Sequence, residues 1–125
     1  MEQELKKILE DTGAVLSGHF LLSSGKHSGG YVQCAQVLRF PDKAERILKP
    51  VAEKLRAMDI DKIVGPAMGG ILVAYELGRQ LGLEAIFTER SEGIMTLRRG
   101  FEVKKGERLV IAEDVLTTGK STLET

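Results

Sequence analysis

The chain has a single cysteine, no net charge and no apolar run approaching the roughly 20 residues that a membrane-spanning helix needs. Cys34, being alone, cannot form an intramolecular disulfide. In the apolar-leaning stretch from Tyr31 to Val37 it reads as a small buried residue of a reduced, cytoplasmic protein. Eighteen Lys and Arg balance eighteen Asp and Glu, and the two signs are interspersed. That pattern argues against a nucleic-acid footprint and for a small-molecule site. No charged-then-apolar leader opens the chain, so neither secretion nor a membrane is expected. Repeats, low-complexity tracts and linkers are also missing, and 125 residues fit one domain, 1–125.

What is present alternates between helical and strand-like patterns. Leu5, Ile8 and Leu9 give Glu2 to Asp11 an amphipathic helical face, and Phe20 to Leu22 and Tyr31 to Gln33 read as a small strand pair outside the main sheet. A second helix is predicted over Pro41 to Met58, with Ala44, Ile47, Leu48, Val51 and Leu55 on one face and Pro41 near its start. Sheet strands are expected at Lys62 to Val64, Glu84 to Phe87 and Arg108 to Ala112, with a helix over Ile71 to Leu81 between the first two.

The richest chemistry follows the last of these strands. Leu109 to Ala112 is a short apolar run that reads as a strand covered on both faces, and Glu113 and Asp114 stand at its carboxyl end. In an open α/β sheet, ligands bind in the crevice beyond the strand ends. Thr117, Thr118 and Ser121 supply hydroxyl donors, and Gly119 lets backbone N–H groups close around an anion, which suits a phosphate. Adjacent carboxylates repel a phosphate, so they face ribose hydroxyls or a divalent cation. The ligand chemistry is that of a sugar phosphate. A nucleoside-triphosphate P-loop ending in Gly119, Lys120 and Ser121 is excluded by spacing, because the position that needs the earlier glycine holds Asp114.

A second anion site of the same kind lies upstream. Lys62 to Val64 forms a short buried strand, and Gly65, Pro66, Ala67, Met68, Gly69 and Gly70 make a turn whose three glycines let backbone approach a ligand. Two such sites fit a donor with phosphate at one end and pyrophosphate at the other. Between them Arg90, Arg98, Arg99, Lys104 and Lys105 flank Ser91, Glu92 and Gly93 in a stretch without clear period until Phe101, expected to be an exposed mobile loop. Arginines there could close over a departing pyrophosphate as its charge grows.

Glu113 through Ser121 resembles the phosphoribosyl pyrophosphate (PRPP) signature of the type I phosphoribosyltransferases: a strand, two acids, two variable positions and a Thr/Gly/Ser loop. Gly18 to Ser28 with Tyr31 to Ala35, Gly65 to Gly70, and Phe87 to Arg90 with Met95 to Phe101 are similar to the amino-terminal segment, pyrophosphate loop and mobile loop of the orotate phosphoribosyltransferases. The resemblance implies an α/β fold, a parallel sheet flanked by helices with a small amino-terminal hood. It also implies transfer of ribose 5-phosphate from PRPP to orotate, giving orotidine 5′-monophosphate and pyrophosphate in pyrimidine biosynthesis. Catalytic roles then fall to Asp114, Glu113 and Arg90. PRPP binding falls to Glu113, Asp114, Val115, Leu116, Thr117, Thr118, Gly119, Lys120, Ser121, Arg90, Met68 and Gly69, and orotate binding to Thr117, Lys26, Tyr31 and Val32. The implied cofactor is Mg²⁺, held mainly by PRPP without direct protein ligands. The implied assembly is a homodimer sharing the mobile loop across subunits.

Three positions depart from the family pattern. Glu113 replaces the more frequent Asp, Ser91 stands where the family's loop has lysine, and Ser23 precedes Ser24 and Gly25 where many relatives carry lysine. Arg98, Arg99 and Lys26 are the candidates to supply the missing charge. His19 and His27 lie outside the acidic loop and read as structural or surface residues. The family continues for further strands beyond the point corresponding to Thr125, so the chain is expected to be a truncated part of a longer enzyme or to lean on a partner subunit. The alternatives are a phosphoribosyltransferase acting on a purine base, a non-catalytic PRPP-sensing regulator and, weakest, a structural module.

Overall fold

The computed structural model describes residues 2–21, 27–115 and 119–125, and for Val15–Leu21 and His27–Val32 the course of the backbone alone. The chain forms two compact units, one ending at Ile47 and the other running from Leu48 to Thr125.

In the first unit, helix α1 (Glu2–Asp11) is followed by strands β1 (Val15–Leu21) and β2 (His27–Val32), which pair antiparallel. The register shifts between Ser17 and Phe20, as a bulge does. Both strands are longer than the sequence pattern suggested. Thr12 ends α1: its buried hydroxyl donates to the Ile8 carbonyl at 2.8 Å, and Gly13 turns the chain at φ 75°. Ile8, Ala14 and Val37 form the core here, with Leu9 and Ile47 packed against it. A short helix α2 (Ala35–Leu38), absent from the sequence reading, starts after Cys34, which is half-buried.

Helix α3 (Pro41–Arg56) begins at Pro41 as expected, since the missing N–H is no loss in a first turn. Ala44 and Ala52 are its buried residues, whereas Val51, placed on the apolar face by its spacing, is exposed.

The second unit holds a four-stranded sheet in the order β5-β4-β3-β6. Strand β3 (Lys62–Pro66) is buried throughout and pairs parallel with both β4 (Glu84–Ser91) and β6 (Leu109–Ile111). Helix α4 (Gly69–Leu81) makes the crossover from β3 to β4, burying Val73, Ala74 and Leu77 and ending at Gly82 in the left-handed region. Helix α5 (Lys120–Glu124) follows β6. At the amino end of the sheet, Lys62 Nζ donates to Glu107 at 3.0 Å and to the Glu102 carbonyl at 2.9 Å.

Two expectations are corrected. The segment after Arg90 is not an aperiodic loop: β4 continues to Ser91, and β5 (Ile94–Leu97) returns antiparallel beside it. Glu92 and Gly93 sit at φ 54° and 80°, the paired positive values that a two-residue hairpin turn requires. The sheet is therefore mixed rather than wholly parallel. Within this chain strand β6 is the outer neighbour of β3, with Leu109 38% exposed and Val110 and Ile111 half-buried.

Candidate functional site

Parallel pairing aligns the carboxyl ends of β3, β4 and β6, and the candidate residues gather there. Ala67 N donates to the Thr88 carbonyl at 2.7 Å and Ala112 N to the Val64 carbonyl at 2.8 Å, so the turn after β3 and the end of β6 are tied to their neighbours. The Ala67–Met68 peptide is cis, and Met68 stands out into solvent. Gly65 and Gly70 touch backbone to backbone. A Cβ on Gly70 would meet the Ala112 carbonyl oxygen at 2.6 Å and Pro66 Cδ at 2.8 Å. These glycines are fixed by close approach of β3, α4 and β6.

Gly69 has a different neighbour. The space its Cβ would occupy is filled by the Asp114 carboxylate, with Oδ1, Oδ2 and Cγ all in contact. The first turn of α4 and the acidic end of β6 therefore meet directly. Asp114 Oδ1 also accepts from Val115 N at 2.8 Å, and Asp114 N donates to Glu113 Oε1 at 3.3 Å. Burial, then a side-chain hydrogen bond with Asp114, raises the Glu113 carboxyl to about 7. At neutral pH this acid is poised between its two protonation states.

Gly119, at φ 78°, opens α5, where Lys120 is exposed and Ser121 half-buried. Leu116, Thr117 and Thr118 lie outside the described residues, as does Lys26. Tyr31 and Val32 end β2, where the backbone alone is described, so the side chains assigned to an orotate wall lie outside it too.

The basic hairpin is held by one acid of its own and one of α5. Arg90 reaches α5: Nη1 donates to Glu124 Oε2 at 2.7 Å and Nη2 to Oε1 at 3.1 Å. Arg98 and Arg99 converge on Glu89, with Arg99 Nε donating at 2.7 Å and Arg98 Nη1 at 3.1 Å. The Glu89 carboxyl is held below the usual range chiefly by its hydrogen bond with Arg99. Arg99 also lies 5.7 Å from the centre of the Phe87 ring, which meets Phe101 edge-on. Arg98 and Arg99 are thus committed to Glu89 in this structure rather than extended toward the anion turns. The sequence reading left out Glu124, and gave no individual role to Thr88 and Glu89 within the stretch likened to the mobile loop. For Thr88 the alternation of Ile86, Thr88 and Arg90 along β4 was a usable signal.

No family model matches the chain. Its fold is that of the type I phosphoribosyltransferases, a mixed sheet with flanking helices shared with solved enzymes of that class. It superposes on Leishmania donovani UMP synthase with a TM-score of 0.78 at 27% identity, covering 97% of this chain and 26% of that one. For the orotate phosphoribosyltransferase of Aeropyrum pernix the TM-score is 0.69 at 27% identity, over 97% and 70% of the two chains. In sequence, the chain is 53% identical over 123 residues to an orotate phosphoribosyltransferase of a Nitratiruptor species, a match that covers 97% of this chain. The chain spans 61% of that relative's length. No helix among the described residues is long and apolar enough to cross a membrane.

Proposed function

We propose that this chain is the PRPP-binding part of an enzyme that transfers ribose 5-phosphate from PRPP to N1 of orotate, releasing pyrophosphate in pyrimidine biosynthesis. The observation that carries the reading is the contact of the Asp114 carboxylate with Gly69, which brings the acid pair and the glycine turn together. A donor with pyrophosphate on the ribose carbon beside its hydroxyls needs that adjacency. Packing alone calls for no half-buried acid pair at a strand end.

In this reading Asp114 and the ionised form of Glu113 accept the ribose hydroxyls, and their negative charge faces the cationic sugar that develops as the glycosidic bond breaks. Orotate is already an anionic nucleophile, so the protein's part is positioning rather than proton abstraction. Backbone of Met68 and Gly69 faces the pyrophosphate, and residues 115–121 hold the 5-phosphate. The side chains of Lys26, Tyr31 and Val32, with Thr117, take orotate. Two carboxylates fall short of an all-protein octahedral cage, which fits a Mg²⁺ that draws most of its ligands from pyrophosphate and water. Such an ion would offset charge on the leaving group.

A homodimer in the cytoplasm completes the proposal. Leu72 and Tyr75, three residues apart on α4, are 48% and 69% exposed, an apolar face suited to a second copy. The test is Asp114→Asn in the full-length protein. Loss of one charged hydrogen bond should reduce PRPP use by about tenfold or more. Unchanged turnover would refute the assignment.

A further inference from the structure

We propose that Glu124 is a positioning residue for Arg90, acting as half of a two-point latch between β4 and α5. Thr88 and Arg90 are two residues apart on a strand, so both project to the same face. Thr125 and Glu124, at the end of α5, meet them in that order. Thr88 is buried at 5% exposure, and its Oγ1 lies 3.0 Å from Thr125 Oγ1. Thr125 Oγ1 donates to the Ser121 carbonyl at 2.7 Å, which leaves Thr88 as donor in the Thr–Thr bond. The second point is the two-pronged bond from Arg90 to Glu124, with side chains 39% and 30% exposed, and Arg90 Nη1 also approaches the Gly93 carbonyl at 3.3 Å.

The latch orients the guanidinium by a planar fork rather than by charge alone, and anchors it to the hairpin turn at Gly93. Among the described contacts three of its five N–H bonds are used, so two remain for a ligand. Helix α5 also carries Lys120 and Ser121, directly after Gly119. The latch therefore fixes Arg90 relative to α5, which opens with Lys120 and Ser121, two of the residues assigned to PRPP. This consequence rests on the proposed function.

The experiment measures PRPP and pyrophosphate binding by calorimetry, with kcat and KM for both substrates, on full-length wild type, Glu124→Gln, Glu124→Asp, Arg90→Gln and the Glu124→Gln/Arg90→Gln double variant. Circular dichroism establishes that each is folded, and Thr125→Val probes the latch independently. A half-exposed charged fork implies that Glu124→Gln weakens PRPP and pyrophosphate binding by about three- to tenfold. The KM for orotate should hold, Glu124→Asp should recover part of the loss, and the Arg90→Gln background should abolish the effect. Thr125→Val should weaken PRPP in the same direction. Binding by Glu124→Gln that is unchanged or tighter would overturn the proposal, the latter by marking Glu124 as a competitor for Arg90. Effects of the two single variants that multiply would also overturn it. A wild type that fails to bind PRPP, with Arg90 and Glu124 still coupled in unfolding measurements, would refute the proposed function and with it the ligand-side role of the latch.

Discussion

Adding one methyl group at Gly69 separates the site's chemistry from the fold's stability. The backbone there lies outside the left-handed region, so alanine is allowed, and at the start of α4 it should contribute about 0.4 to 1 kcal/mol through a less flexible unfolded chain. The new Cβ falls on the Asp114 carboxylate, a side-chain end that can swing away. Restoring ordinary contact of about 3.5 Å moves that carboxylate on the order of 1 Å. Its 2.8 Å bond from Val115 N is strained or lost, at a cost of about 1 kcal/mol that roughly offsets the gain. A misplacement of about 1 Å at a reacting centre costs on the order of 100-fold in rate. Gly69→Ala should thus melt near the wild-type temperature while PRPP-dependent turnover falls roughly 100-fold. Gly70→Ala is the control: its Cβ meets the Ala112 carbonyl at 2.6 Å and the Pro66 ring at 2.8 Å, neither of which can yield, and stability should drop by about 1 to 3 kcal/mol. Thermal melting and pyrophosphate release on the full-length protein measure both halves. A Gly69→Ala variant with wild-type turnover, or one that unfolds as readily as Gly70→Ala, would refute the reasoning.

Further outcomes follow from the charged groups. Glu113 binds its proton more tightly in the folded chain, at about 7, than at its ordinary 4.5, so its contribution to stability is complete below 4.5 and is lost as pH rises through about 7. Glu113→Gln should flatten that decline in denaturant melts taken between these pH values; an unchanged slope would mean the acid is not buried as described. PRPP affinity of the wild type should rise over the same interval, because only the ionised carboxylate accepts ribose hydroxyls without a competing proton. Glu89→Gln should release Arg98 and Arg99 and speed tryptic cleavage after them. Cleavage at the wild-type rate would show the hairpin to be held by other contacts.

The acid pair was legible because its surroundings are local: an apolar run of strand length, then two carboxylates, then small hydroxyl residues. The buried strand Lys62–Pro66 and the helix after it were legible for the same reason, one periodicity giving way to another at a glycine turn. The hairpin of β4 and β5 was hidden because Arg90 carries charge at a position where an alternating pattern expects an apolar residue. That charge is accommodated by Glu124, a partner the local pattern cannot supply. Glu92 with Gly93 was the remaining cue, a weak one, since a non-glycine residue must take positive φ. The exposure of β6 depended on sheet order, and the contact of Gly69 with Asp114 joins residues 45 positions apart; only pairing of β3 with β6 brings them together.

The central claim is that the Glu113–Asp114 strand end and the Gly69 turn form one PRPP site serving orotate. The most direct measurement is pyrophosphate release by the full-length protein with PRPP and Mg²⁺, comparing orotate with adenine and wild type with Asp114→Asn. The account predicts release that depends on orotate and falls by about tenfold or more in the variant. Release with adenine and none with orotate, or equal release by the variant, would contradict it.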